Sequence, residues 1–224
     1  MIADEITIAG PKGPMQAYVS RRDGQRRPAV IVLEGIYGFD AEMRRITNLV
    51  GQAGYTGIAI DYLRGGKPEE VFQLADVCQD VAAARDWANR QPFVQHGKIA
   101  TWGFGWGGTA AFLSASLPGL TGAVAFYGQS IARPLPGSSK AAIEEVEDIR
   151  APLLLVFGGH DEQIGEHDIE TIRDNLTARG KSFEIEVYPD VGHSFFREDL
   201  DTVAARQIAD AWDRVNAFLQ RSFK

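Results

Sequence analysis

The sequence predicts an α/β protein, with a mostly parallel, doubly wound sheet carrying helices on both faces. Three observations lead there. Short continuous apolar runs recur along the 224 residues, and longer stretches whose apolar positions have helical spacing separate them. No repeat, low-complexity segment or Pro/Gly-rich linker divides the chain, so residues 1–224 are expected to form one domain.

The apolar runs are Ala29–Leu33 (AVIVL), Thr56–Tyr62 (TGIAIDY), Lys98–Trp102, Gly122–Tyr127 (GAVAFY) and Pro152–Phe157 (PLLLVF). They read as strands buried on both faces, as in a parallel sheet. Phe183–Tyr188 (FEIEVY) alternates instead, which places it near a sheet edge with one wetter face. Helical spacing covers Ala41–Ala53, Glu69–Gln91, Trp106–Leu117, His167–Arg179 and Leu200–Phe223; in the second, Val71, Leu74, Cys78 and Val81 fall on one stripe. Strands alternating with helices imply right-handed crossovers, and such sheets form sites beyond the carboxyl ends of their strands. The places to search are just after Leu33, Trp102 and Phe157, and in the loop after Tyr188.

Composition excludes several classes. A net charge of −7 argues against nucleic acid, which is gripped by clustered Lys and Arg; the densest basic stretch, Arg21, Arg22, Arg26 and Arg27, reads as a solvated turn. No apolar run approaches the ~20 residues of a membrane span. The start, MIADEITIAG, has neither the basic end nor the apolar core of a secretory signal, and the expected compartment is the cytoplasm. Cys78, the one cysteine, permits no intramolecular disulfide and lies in a helical apolar stripe. Four histidines without ligand-like spacing give no metal site.

Chemistry concentrates at three strand ends. After Trp102 comes Gly103-Phe104-Gly105-Trp106-Gly107-Gly108, leading straight into a helical stretch. This is the layout of a nucleophile elbow, where small flanking residues let the backbone crowd and raise the central side chain over a helix N-terminus. The central residue should be Ser or Cys; here it is Gly105. Gly158-Gly159-His160-Asp161 follows the next strand and Gly192-His193-Ser194-Phe195-Phe196 the last, giving the order nucleophile position, acid, base. Each signal alone has a plainer reading: Asp161 can cap a turn, and a histidine after glycine can be structural. Arg197 can simply pair with Glu198 and Asp199, and Tyr37 and Phe39 can line a pocket or pack in the core. The acidic run from Glu144 to Asp148 reads as a solvated helix face.

From about Ala29 to Leu219 these motifs, with Ile36-Tyr37-Gly38-Phe39-Asp40-Ala41-Glu42-Met43-Arg44, resemble the dienelactone hydrolase family of the α/β-hydrolase superfamily. The resemblance implies the α/β-hydrolase fold and hydrolysis of small esters or lactones by a Cys-His-Asp catalytic triad, without metal or organic cofactor. It implies an oxyanion hole from the backbone N–H groups of Ile36 and Trp106, and Arg197 as the holder of a substrate carboxylate. The sequence departs from the pattern at three points. The nucleophile falls on Gly105. The family's glutamate column falls on Gly35, with Glu34 one position earlier, so a substrate-side role for Glu34 requires it to reach the site from the neighbouring position. A second substrate arginine has no clear counterpart, Arg64 being a candidate by proximity.

Removing the nucleophile of a triad costs on the order of 10⁶ in kcat in a well-studied serine protease, leaving ~10³–10⁴ from the oxyanion hole and binding. Covalent triad turnover is therefore not possible with Gly105. Three readings stand: a family hydrolase that has lost its nucleophile, a hydrolase in which His193 and Asp161 activate water, and a non-catalytic protein that binds a small carboxylate.

Overall fold

The five continuous apolar runs form the middle of an eight-stranded sheet. A computed structural model describes residues 1–35, 38–67, 74–134, 138–145, 148–197 and 202–224. Its strands are β1 (Ile2–Gly10), β2 (Gly13–Arg21), β3 (Arg27–Leu33), β4 (Thr56–Ile60), β5 (Val94–Phe104), β6 (Gly122–Phe126), β7 (Leu153–Gly158) and β8 (Phe183–Tyr188), in the spatial order β1-β2-β4-β3-β5-β6-β7-β8. From β4 through β8 all pairings are parallel; β1–β2 and β2–β4 are antiparallel. Every residue of β4, β6 and β7 is buried. Because successive side chains leave a strand on opposite sides, both faces of the sheet must be covered there. β8 lies at the edge and is mostly half-buried, as its alternation predicts.

The N-terminal hairpin corrects the sequence reading, which recognised no strand before Ala29. In β2, Met15, Ala17 and Val19 are buried while Gln16 is exposed, and β1 buries only Ile8. This is the alternating pattern of an antiparallel edge, weaker in sequence than a continuous run. The turn between β2 and β3 is exposed from Arg22 to Arg26, and its arginines reach back onto the fold. Arg26 Nε donates to Pro92 O at 3.1 Å, Arg27 Nη1 to Gly54 O at 3.3 Å, and Arg21 lies 4.3 Å over the Phe93 ring.

The helices are α1 (Ala41–Gln52), α2 (Leu74–Asn89), α3 (Trp106–Ser114), α4 (Ala142–Glu145), α5 (Glu166–Ala178) and α6 (Thr202–Ser222). Residues 68–73, where the second helix was expected to begin, lie outside the described residues. Asp40 caps α1, its Oδ1 accepting from Met43 N at 3.0 Å. All nine residues of α3 are buried, as befits a helix that is apolar all round and sits inside the fold. Among the described residues no helix is long and apolar enough to cross a membrane.

Candidate functional site

The carboxyl ends of β3, β5, β7 and β8 bring Glu34, Gly105, Asp161 and His193 to one end of the sheet. The elbow forms where β5 turns into α3. Gly105 is the helix N-cap, with φ 56° and ψ −118°; its N–H donates to Phe126 O at 3.0 Å and its carbonyl accepts from Thr109 N at 3.1 Å. The surrounding glycines are there for space. A Cβ at Gly103 would overlap Gly107 O, and one at Gly107 would overlap Leu33 O and Glu34 O. Gly105 is different, because among the described residues a Cβ built there meets no heavy atom within 4 Å. The turn thus combines a positive-φ backbone with space, among the described residues, for a side chain the sequence does not supply.

Asp161 and His193 form a fixed pair. Asp161 Oδ1 accepts from the backbone N–H groups of Gln163 (2.8 Å) and Ile164 (3.1 Å), and Oδ2 lies 2.7 Å from His193 Nδ1. The Asp161 side chain is fully shielded from solvent, whereas His193 is partly open to it. A carboxylate only accepts hydrogen bonds, so the hydrogen in this bond is carried by Nδ1, and the His193 ring lines the cleft. Two backbone bonds, Gly159 N to Tyr188 O at 2.7 Å and His160 N to Val191 O at 3.0 Å, tie the Asp161 loop to the His193 loop. The His193 loop is also anchored in the core. Phe195 and Phe196 are each 1% exposed, and the Phe196 ring lies 5.1–5.7 Å from those of Trp102, Phe104 and Phe126. Each fully buried phenylalanine contributes roughly 1.5–3 kcal/mol.

Gly105 and His193 line the same cleft, of about 430 Å³ with part of it open to solvent. Its walls are largely apolar, from Met43, Ile46, Phe104, Tyr127 and Phe196, and its polar groups include Asp40, Glu42 and Arg197. Arg197 Nη2 donates to Asp40 Oδ2 at 3.3 Å, which places its guanidinium at the N-terminus of α1. Glu198 and Asp199, the partners its sequence neighbourhood suggested, lie outside the described residues. Glu42 is held by Arg45 through two bonds of 2.8 and 2.7 Å.

Glu34 is only 1% exposed and is not among the residues that line the cleft, although its neighbours Gly35 and Gly38 are. Burial pushes its carboxyl up to about 9; hydrogen bonding and charge repulsion from Asp61 add to the rise, and the Leu63 N–H, 3.4 Å from Oε1, partly opposes it. Among the described residues no donor meets Oε2. With its carboxyl raised to about 9, Glu34 is held protonated at neutral pH. Arg64 is removed from the site altogether. It forms two 2.8 Å bonds to Asp80 on α2 and further bonds to Tyr62 O and Gly13 O.

Ile36 and Tyr37, expected in the oxyanion hole and the substrate pocket, lie outside the described residues. Trp106 opens α3, where first-turn N–H groups point out of the helix end. Phe39 packs partly buried with Arg44 5.0 Å over its ring and does not line the cleft. Tyr127 is the residue sequence reasoning missed. It lines the cleft at the carboxyl end of β6 with φ 38°, its ring 5.1 Å from that of His193, and burial drives its phenol well above the usual range. The strand-end rule applied to GAVAFY would have found it.

The profile of the dienelactone hydrolase family matches residues 15–223. The chain belongs to the dienelactone hydrolase family. A relative from Escherichia coli (strain K12), named "Putative carboxymethylenebutenolidase", is 31% identical over 96% of this chain and 85% of its own length. The crystal structure of a "Putative Dienelactone Hydrolase" from Klebsiella pneumoniae superposes with a TM-score of 0.86 at 30% identity, covering 98% of both chains. An esterase from Pyrobaculum calidifontis, at 21% identity, shares the fold with a TM-score of 0.78 over all of this chain and 87% of its own. The family assignment and the parallel sheet together establish an α/β-hydrolase fold.

Proposed function

We propose that this dienelactone hydrolase relative hydrolyses small esters or lactones with water, not a side chain, as the nucleophile. The observation that carries the reading is an intact His193–Asp161 pair facing an elbow whose central residue leaves open space. His193 Nε2 takes a proton from water as the oxygen attacks the carbonyl carbon. The oxyanion is met by the Trp106 N–H at the start of α3, and the family resemblance assigns the second donor to the Ile36 N–H. Collapse breaks the ester C–O bond, the leaving oxygen takes the proton back from Nε2, and a carboxylic acid and an alcohol result; a lactone opens to one hydroxy acid. Arg197, held by Asp40 at the cleft wall, pairs with a carboxylate carried by the substrate.

Without covalent catalysis the rate falls in the residual range of ~10³–10⁴ over water, so long assays and a clean blank are needed. The test is hydrolysis of 4-nitrophenyl acetate and dihydrocoumarin by the unmodified chain and by His193→Ala. The reading expects turnover above buffer that His193→Ala abolishes. An unchanged rate in that variant overturns it. No turnover, combined with saturable binding of a small carboxylate that Arg197→Ala weakens, favours the non-catalytic binding alternative.

A further inference from the structure

We propose that the open space at Gly105 admits a small thiol from solution, so that the protein transfers acyl groups to thiols as well as to water. The inference rests on the hydrolase reading and extends it to a second acceptor. Three features of the site lead to it. Among the described residues a Cβ at Gly105 would meet nothing within 4 Å, so a small group can stand there without adopting the positive-φ backbone that a residue at this position must bear. The walls include Phe104, Tyr127 and Phe196, which favour a polarisable, weakly hydrated sulfur over a hydroxyl. His193, oriented by Asp161, lines the same cleft.

Acidity selects the thiol further. A cysteine-type thiol ionises near ~8.5, many units below water, so an imidazole removes the S–H proton far more readily. In the transfer, His193 Nε2 takes the thiol proton while sulfur bonds to the carbonyl carbon. The ester C–O bond then breaks and the departing oxygen takes the proton from Nε2. One ester and one thiol give one thioester and one alcohol, with no change in oxidation state. Since nothing on Gly105 tethers the acyl group, the thioester leaves as product.

The experiment uses phenyl acetate with 2-mercaptoethanol as the acceptor and ethylene glycol as its oxygen control, quantifying thioester and acetate by chromatography against protein-free blanks. The expected result is thioester formation that saturates with thiol and raises ester consumption roughly tenfold or more, in the range of general-base effects. The glycol should do neither, and His193→Ala should lose the thiol effect. Gly105→Ala, which puts a methyl where the sulfur would sit, should weaken thiol saturation more than it slows hydrolysis by water. Acetate release with no thiol effect above the blank overturns this inference and leaves the hydrolase reading standing. Absence of protein-dependent turnover with either acceptor overturns both.

Discussion

Replacing Glu34 by glutamine should stabilise the protein by an amount that grows with pH. Glu34 is 1% exposed and its carboxyl is pushed up to about 9 from an ordinary 4.5. The folded state therefore keeps a proton that the unfolded chain releases, throughout the window between those two values. Where the folded state binds more protons, stability falls as pH rises, here by about 1.4 kcal/mol per pH unit. From pH 5 to pH 8 the loss amounts to about 4 kcal/mol, an upper figure because water and neighbouring groups relax around a buried charge. The glutamine amide does not titrate, keeps an acceptor for the Leu63 N–H, and offers an N–H to Asp61. At ~2–4 °C per kcal/mol for a chain of this size, the Tm advantage of Glu34→Gln should widen by up to about 16 °C between pH 5 and pH 8. Calorimetry of both proteins across that range is the assay; other groups contribute equally to each and cancel in the difference. Parallel Tm curves would refute the assignment of a neutral buried Glu34.

Three further outcomes follow from the packing. Gly103→Ala should give little folded protein, because its methyl overlaps the Gly107 carbonyl, whereas Gly105→Ala should fold with a loss of only about 1–3 kcal/mol for its positive φ; equal losses in chemical denaturation would contradict the elbow geometry. Arg64→Ala leaves Asp80, whose side chain is 2% exposed, without its partner and should cost about 3–5 kcal/mol while leaving KM for a carboxylate ester unchanged; a raised KM in denaturation-matched assays would return Arg64 to the site. Burial pushes the Cys78 thiol up to about 11, so at pH 8 it should react with a disulfide reagent about two orders of magnitude more slowly in the native protein than in urea; comparable rates would show an accessible thiol.

The centre of the sheet was legible because its strands are buried on both faces and therefore apolar without interruption, as in β6 and β7. The same physics hid the N-terminal hairpin, whose strands are half-exposed and carry only an alternating signal. Gly105, Asp161 and His193 could be read from sequence since each follows a strand directly and the motifs are local. Arg64 could not, because its partner Asp80 is sixteen residues away on a separate element. The Asp40–Arg197 pair, 157 residues apart, is likewise a product of tertiary folding alone. Glu34 fell between: its place at the end of β3 was visible, but its burial against Asp61 and Leu63, about thirty residues on, is a product of the fold.

On the proposed function, the elbow and the His193–Asp161 pair lack only a nucleophilic side chain. Gly105→Cys supplies one, and the readout is the pre-steady-state burst with 4-nitrophenyl acetate. A burst approaching one 4-nitrophenolate per chain is expected, with an acyl group retained on the introduced thiol and a steady rate roughly 10²-fold or more above the unmodified chain. A variant that folds normally yet shows neither burst nor gain would contradict it.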